Sequence, residues 1–517
     1  MGTFVSYYNF DAETRQSMDL PKKVSVFDTT LRDGEQTPGV VFTGKEKCHI
    51  ATELSKLGVD IIEAGFPANS EEEQKNIQEI TGLGLKSKIC TLARAVESDI
   101  EGCIKCNPNM VHTFISTSDI HIKYQMNTTR EAVMKRAIDS VDKIKNQGFE
   151  CMFSPMDATR TDFDFLVKVC KEVENAGADI INIPDTVGVM NPPAMRSLFK
   201  RLKNHLKIPL DVHCHNDFGL AVPNTLAAVE SGASEVQVTV NGLGERAGNA
   251  NLAQVVMSLN ILYGVNTNIK TQGLTEISKL VERLSMIHNP ANTPLVGKNA
   301  FSHESGIHAA AILKRAETFE PISAEMVGQR SRVVIGKNTG RHAVSDALKS
   351  IGYKFNEDQI NTVTQKIKEL AIKQKKISED DIIAIADEVL CNEPNTEKAI
   401  VLEDFSVFTS NKMDSMASVV LSVCGERKKG NAIGIGAVDA SYKAISSALG
   451  IPFKLSEYNL KAITGGTDAL ANVLIRIEGN KKEIQAESVH EDIALASVNA
   501  LIKGMNKMKI NELGQAK

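Results

Sequence analysis

The stretch Val24-Ser25-Val26-Phe27-Asp28-Thr29-Thr30-Leu31-Arg32-Asp33-Gly34-Glu35-Gln36 decides the fold class. Its first residues form a short β-branched and apolar run, as in a buried strand, and the turn that follows is polar and acidic. A doubly wound open sheet would place a glycine-rich GxGxxG phosphate loop at this point, and the chain has none. Working outward, similar runs recur at Asp60–Ala64, Lys88–Leu92, Val111–Ile115, Glu150–Ser154, Asp179–Ile183, Leu210–His213 and Glu235–Val240. Segments of helical periodicity separate them. Eight strands alternating with helices over roughly 250 residues predict a parallel α/β array closed into a (β/α)8 TIM barrel, with the open sheet as runner-up.

Beyond the barrel, Asn289–Gly297 carries Pro290 and Pro294 among Asn and Gly and reads as a linker. Residues 291–397 then read as helical linker subdomains with charged faces, such as Asp358–Lys373 and Glu379–Val389, too polar to build a large core and packed on something else. From residue 398 strands (Ala399–Phe405, Ala417–Cys424, Asn472–Glu478) alternate with helices (Ala437–Leu449, Ile493–Met508), which predicts a C-terminal α+β domain over 398–517. The expected order is an N-terminal extension (1–20), the barrel (21–290), the linkers and this last domain.

A length of 517 residues exceeds what one core serves. With 42% apolar and 24% charged residues and a net charge of -5, the chain is of ordinary globular composition, so neither nucleic acid nor membrane is expected as a partner. No signal peptide or run of about 20 apolar residues is seen, and the nine cysteines are scattered, which points to a reducing, cytoplasmic setting. Cys103 and Cys106 form a lone CxxC, read as structural.

Barrel enzymes carry their chemistry at the C-terminal ends of the strands. Polar residues gather there: Arg32, Asp33 and Gln36 after the first strand, Glu63 in the second, Arg94 near the third, Thr117, Ser118 and His121 after the fourth, Asp185 and Thr186 after the sixth. The seventh gives His213, Cys214, His215 and Asn216. Residues i and i+2 of a strand share a face, so His213 and His215 can grip one divalent ion. An HxH pair alone is weak. Asp33 and the cluster Asn241, Glu245, Arg246 and Asn249 complete a mixed nitrogen and oxygen set suited to Mn2+, Mg2+, Zn2+ or Fe2+.

Three stretches carry a family resemblance: Phe27 to Gln36, Val212-His213-Cys214-His215-Asn216-Asp217, and Asn241-Gly242-Leu243-Gly244-Glu245-Arg246-Ala247-Gly248-Asn249. They resemble the signatures of the acyl-CoA condensing enzymes with a metallolyase-type barrel, the 2-isopropylmalate, citramalate and homocitrate synthases. Ile62-Glu63-Ala64-Gly65-Phe66-Pro67 and the segment His112 to His121 resemble the 2-isopropylmalate branch most. The resemblance implies an acyltransferase that joins acetyl-CoA, its co-substrate, to a 2-oxo acid with release of CoA. With 2-oxoisovalerate the product would be 2-isopropylmalate, the first step of leucine biosynthesis. It further implies Asp33, His213, His215 and Asn249 as metal ligands, Arg32, Glu63 and His308 as catalytic residues, and Arg32, Gln36, His112 and Thr186 as substrate contacts. The C-terminal domain resembles the family's allosteric, leucine-binding domain through Gly434, Gly436 and Asp439 and through Gly465, Gly466 and Asp468. Read from residues alone, these are glycine-rich tight turns. A homodimer that exchanges its arms is implied, with His303 and His308 reaching the partner's barrel mouth.

Two positions depart from the family pattern. Met156 stands where relatives carry a glutamate, in Ser154-Pro155-Met156-Asp157-Ala158-Thr159-Arg160, and Ala310 stands where a carboxylate follows His308. A general acid or base contributes about 10²- to 10⁴-fold. Glu63, Asp157, Glu304 or His308 could substitute. The alternatives that follow are citramalate or homocitrate synthase and, in another class, a non-catalytic regulatory paralogue.

Overall fold

The structure, a computed structural model, describes residues 4–513 apart from 305–310, 313, 352, 354, 374–376, 378–380, 384, 387, 388, 390–399, 424, 451, 463–470, 480 and 481. It divides into two compact units, Met1–His303 with Ala311–Arg332, and Glu304–Ala310 with Val333–Lys517.

The first unit is the barrel. All eight strands read from the sequence are present: β1 Ser25–Asp28, β2 Ile61–Glu63, β3 Lys88–Arg94, β4 Met110–Ser116, β5 Glu150–Met156, β6 Ile180–Asp185, β7 Leu210–Cys214 and β8 Glu235–Val238. They pair in chain order, and β8 closes on β1 in parallel with Phe27 opposite Gln237. Side chains alternate between the two faces of each strand. One set, with Val26, Ile62, Val111, Phe153, Ile181, Val212 and Val236, belongs to the large core shared with the surrounding helices. The other set forms a separate interior cluster of Phe27, Ile61, Cys90, Met110 and Met152. Two residues further along the same strands stand Thr29, Glu63, Leu92, His112 and Ser154. The interior therefore changes from apolar to polar within one period-2 step towards the C-terminal ends.

Local rules fix the connections. Helix Gly44–Leu57 starts with a capping box between Thr43 and Glu46 and stops at Gly58, a left-handed position at φ 100°. Lys47 on this helix is buried, and its ammonium lies 2.6 Å from both Glu35 and Glu73. Glu35 sits in the loop after β1 and also accepts from the Phe42 N–H at 2.9 Å. The buried triad thus ties that loop to the segment after β2.

Residues beyond 290 pack on the barrel: Val296, Phe301, Ile322, Ala324 and Val327 belong to its core, reached through the turns around Pro290 and Pro294. The first 20 residues are also attached: Arg15 donates to the Tyr263 carbonyl at 2.7 Å, and the Asp19 N–H to the Glu230 carbonyl at 2.8 Å. Cys103 and Cys106 are buried thiols, pushed up to about 12 and about 11 by burial, so the CxxC is not a thiolate site.

In the second unit, helices Arg341–Ser350 and Glu357–Lys373 share a small core of their own with Val344, Leu348, Val363 and Ile367. The segment Glu379–Val389 lies partly outside the described residues. The remainder is a repeated βββα arrangement. β9 Val401–Phe408, β10 Ser415–Val423 and β11 Glu426–Gly434 form one antiparallel sheet, followed by helix Ala437–Leu449. β12 Lys454–Ala462, β13 Ala471–Gly479 and β14 Lys482–His490 form the second, followed by helix Ile493–Leu513. Both halves share one core. The sequence reading missed β11, β12 and β14, whose polar edge-facing residues carry little apolar alternation. Among the described residues no helix is long and apolar enough to cross a membrane.

Replacing Lys47 with Met leaves Glu35 and Glu73 without their cation. The barrel should lose about 3–5 kcal/mol, read as a lower denaturant midpoint; an unchanged midpoint would show that the triad does not tie the loop down.

Candidate active site

Asp33, His213 and His215 converge where the interior turns polar, and all three are buried. The Asp33 Oδ2 lies 3.1 Å from His213 Nε2 and 3.6 Å from His215 Nε2, and the two Nε2 atoms are 3.2 Å apart. Ligands held about 2.1 Å from one ion sit roughly 3.0–3.4 Å from each other, so these separations suit a shared divalent cation. Asn249 donates its Nδ2 to Asp33 Oδ2 at 2.9 Å, and its buried Oδ1 has no hydrogen-bond partner. A buried amide oxygen without a donor is costly, and a cation would satisfy it. The donor set therefore fits a divalent metal. Burial pushes the Asp33 carboxyl up, but Arg32 and the two histidines hold it well below the usual carboxylate range. Burial and the neighbouring His213 bring His215 down to about 4, which keeps its ring neutral and able to ligate.

Asp33 and His213 belong to a closed ring of interactions around the barrel. Arg32 Nε donates to Glu63 Oε2 at 2.7 Å, and His112 Nδ1 lies 2.8 Å from Glu63 Oε1. His112 Nε2 lies 2.7 Å from Ser154 Oγ, and Ser154 donates to Asn182 Oδ1 at 2.9 Å. Asn182 and Gln237 both donate to Asp211 Oδ2, at 2.6 and 2.7 Å. His213 Nδ1 and Gln237 Oε1 are 2.8 Å apart, and His213 leads back to Asp33, which Arg32 approaches at 3.4 Å. Burial raises the Glu63 carboxyl, yet Arg32, His112 and a 2.6 Å hydrogen bond from Thr29 outweigh it and hold the group at about 2. Glu63 is therefore a permanent anion that orients Arg32 and His112, and a poor proton acceptor.

Above the ring lies a cavity of about 210 Å3, smaller than the roughly 300–1,000 Å3 of sites that take drug-sized ligands. Its lining is mixed: Arg32, Asp33, Ser154, Asn182, Thr186, His213, His215 and Gln237 are polar, and Phe66, Leu92, Phe114, Met156 and Pro184 are apolar. Gln36, His112 and Glu245 also line it, so the expected substrate contacts Arg32, Gln36, His112 and Thr186 all reach one cavity.

Several expected site residues point elsewhere. Asn241 exchanges hydrogen bonds with Ser278, Arg246 pairs with Asp217, and Arg94 with Asp99. Of the cluster after β8 only Asn249 joins the metal set. Asp157 cannot stand in for a carboxylate at Met156, because it is fully buried and holds Ser118 and Arg160. His303 pairs with Glu320 at 3.3 Å. His308 and Ala310 lie outside the described residues, as do Gly465, Gly466 and Asp468. At the other glycine-rich turn, a Cβ on Gly434 would meet the Ala440 nitrogen at 2.4 Å, and the Asp439 carboxylate accepts from the Ile435 N–H at 3.0 Å. Gly434 and Asp439 thereby build the start of helix Ala437–Leu449, with Gly436 at its N-cap.

Ser154, Asn182, Asp211 and Gln237 were missed in the sequence. The available signal was a polar residue two positions from a candidate, inside a run otherwise apolar: Asp211 precedes His213 in this way.

Three family profiles match the chain: HMGL-like over residues 23–281, homocitrate synthase post-HMGL domain-like over 295–375, and LeuA allosteric (dimerisation) domain over 376–509. The chain is 50% identical over 497 residues to a 2-isopropylmalate synthase of Methanocaldococcus jannaschii, covering 95% of this chain and 96% of the relative. It is 51% identical over 490 residues to a probable 2-isopropylmalate synthase of Methanosarcina acetivorans, covering 94% and 95%. An (R)-citramalate synthase of Methanocaldococcus jannaschii is 42% identical over 489 residues, covering 94% and 99%.

Because the folded value of Glu63 lies below its ordinary 4.5, its stabilising effect is present above that pH and fades as pH falls towards about 2. Wild type should exceed Glu63→Gln in stability by about 3 kcal/mol near neutrality, and denaturant titrations should show the gap closing between about pH 4.5 and about 2. A gap independent of pH would show that Glu63 is not held as an anion.

Proposed function

The chain belongs to the 2-isopropylmalate synthase family, and from that premise we propose that it condenses acetyl-CoA with 2-oxoisovalerate to give 2-isopropylmalate and CoA. It is a condensing acyltransferase of the leucine pathway's type. The observation that carries the choice of acid is the cavity lining: one cation, Arg32, and the candidate metal set, together with the apolar side chains of Phe66, Leu92, Phe114, Met156 and Pro184. A 2-oxo acid with an apolar branch meets both. The second carboxylate of 2-oxoglutarate would need a second cation, and Arg32 is the only cationic side chain lining the cavity among the described residues. Pyruvate is the second reading, supported by the 42% identity to an (R)-citramalate synthase; each of the two methyl groups it lacks is worth about 1–3 kcal/mol in such a pocket.

A divalent ion such as Mn2+, Zn2+ or Mg2+, held by Asp33, His213, His215 and Asn249, would polarise the keto group of the acid. Arg32, fixed by Glu63, faces the position where negative charge develops on oxygen and donates N–H groups to it. Thr186 and Gln36 offer hydrogen bonds to the acid's carboxylate, and the apolar lining excludes water from its side chain. The methyl C–H of acetyl-CoA breaks, its carbon bonds to the keto carbon, the keto oxygen gains a proton, and water cleaves the thioester to release CoA. With methionine at position 156 and Asp157 engaged with Ser118 and Arg160, the segment after β5 supplies no free carboxylate for the first step. His308, on the arm, is the proposed proton acceptor, delivered by a partner subunit in an arm-exchanged homodimer. The dimerisation-domain match supports a dimer, and leucine is the proposed effector of that domain.

Free-thiol release from acetyl-CoA by the Mn2+-loaded protein, with 2-oxoisovalerate, pyruvate and 2-oxoglutarate in parallel, tests the activity. Release is expected chiefly with 2-oxoisovalerate, and Arg32→Gln should lower kcat by about 10²–10³-fold. Release with pyruvate alone would transfer the assignment to citramalate synthesis, and none with any acid would sink it. For the exchanged arm, Arg32→Gln and His308→Ala chains are each inactive but co-expressed should regain about a quarter of wild-type activity, since half the dimers carry one intact site. No recovery would place both residues on one chain's site.

A further inference from the structure

Gln237 on β8 is 1% exposed and has no role in the reading above, yet it touches a proposed metal ligand. Its Oε1 lies 2.8 Å from His213 Nδ1, and its Nε2 donates to Asp211 Oδ2 at 2.7 Å and reaches Met152 Sδ at 3.5 Å. A primary amide has an accepting end and a donating end, and Asp211 decides which faces which way. Its Oδ2 collects the Asn182 Nδ2 at 2.6 Å as well as that of Gln237. This needs only an acceptor at Oδ2, since Oδ1 is the oxygen left without a partner. Turned over, Gln237 would set its oxygen 2.7 Å from the oxygen of Asp211 and its N–H2 against His213. The amide oxygen therefore faces the imidazole.

An amide oxygen accepts and cannot donate, so the hydrogen of the neutral His213 ring sits on Nδ1. The lone pair is then on Nε2, the atom that faces Asp33 and His215. The other tautomer would push an N–H into the space a cation needs. His215 has no such partner on its Nδ1.

We propose that Gln237, held by Asp211, is a positioning residue of the metal centre that selects the His213 tautomer able to ligate a divalent cation. The proposal rests on the reading of Asp33, His213 and His215 as ligands. Outer-shell partners of this kind typically change metal affinity by 10- to 100-fold. Calorimetric titration of the metal-stripped full-length protein with Mn2+ and with Zn2+ tests it in two variants of similar volume. Gln237→Met removes the acceptor and should weaken binding about 10- to 100-fold. Gln237→Glu keeps an acceptor for Nδ1–H, and because two carboxylates at 2.7 Å share one proton, its other oxygen carries the hydrogen that donates to Asp211; it should stay within about threefold of wild type, which a merely structural role would not predict. Binding by Gln237→Met within threefold of wild type, or equal loss in both variants, overturns the proposal. A second readout needs no metal: the imidazole 15N resonances of His213, identified by their absence from His213→Asn, should show hydrogen on Nδ1 in wild type and a mixture in Gln237→Met. If wild type binds neither ion, the ligand reading fails, and the resonances alone decide the tautomer: a wild-type ring without hydrogen on Nδ1 overturns it.

Discussion

The middle of a closed eight-stranded barrel is packed with side chains, so a polar side chain buried there finds its partner chiefly in another side chain. Leaving a buried polar group unpaired costs about 1–3 kcal/mol, and a lone charge far more. Glu63, His112, Ser154, Asn182, Asp211, Gln237 and His213 meet this requirement by linking into one ring that Arg32 and Asp33 close. Each member fixes the orientation of the next. The site is therefore set before any ligand arrives, as catalysis by fixed dipoles and charges requires. The few atoms left without partners at its upper rim, Asn249 Oδ1 and His215 Nδ1, lie around the metal set.

The ring is braced from outside. Lys47 holds Glu35, and with it the loop that carries Arg32 and Asp33, to Glu73 beyond β2. Two glycines make room for this close packing. At Gly65, φ is +152° and a Cβ would stand 2.0 Å from Glu73 Oε1; at Gly244 it would stand 2.5 Å from Asn249 Oδ1. A side chain at Gly244 would displace the amide that completes the ligand set.

In the second unit the same chain solves a different problem. Two βββα halves share one core, with Val419 and Leu421 of the first sheet and Val473, Ile475 and Ile477 of the second turned inward. The first sheet leaves Phe408, Met416 and Ile433 exposed on its other face, beside a cavity of about 550 Å3. This apolar surface lies within the segment that matches the dimerisation-domain profile.

The sequence by itself determined the barrel, because a strand buried on both faces must be a short apolar run, and eight of these with helices between them leave little choice of architecture. It also picked out Asp33, His213 and His215 as a candidate metal set, since His213 and His215 share a face by the period of two and Asp33 follows β1. The three-motif resemblance supplied Asn249 among the four candidates after β8, and the geometry agrees, because Asn241 and Arg246 turn to Ser278 and Asp217. Sequence alone could not show that Glu63 is a fixed anion, that Asp157 is enclosed, or that Ser154, Asn182, Asp211 and Gln237 form the ring. Nor could it show that Val296, Phe301, Ile322, Ala324 and Val327 would join the barrel's core. Only the tertiary structure decided these points, because the state of a buried polar group is set by partners on other strands, and the stagger of a closed barrel, which no local pattern records, chooses those partners.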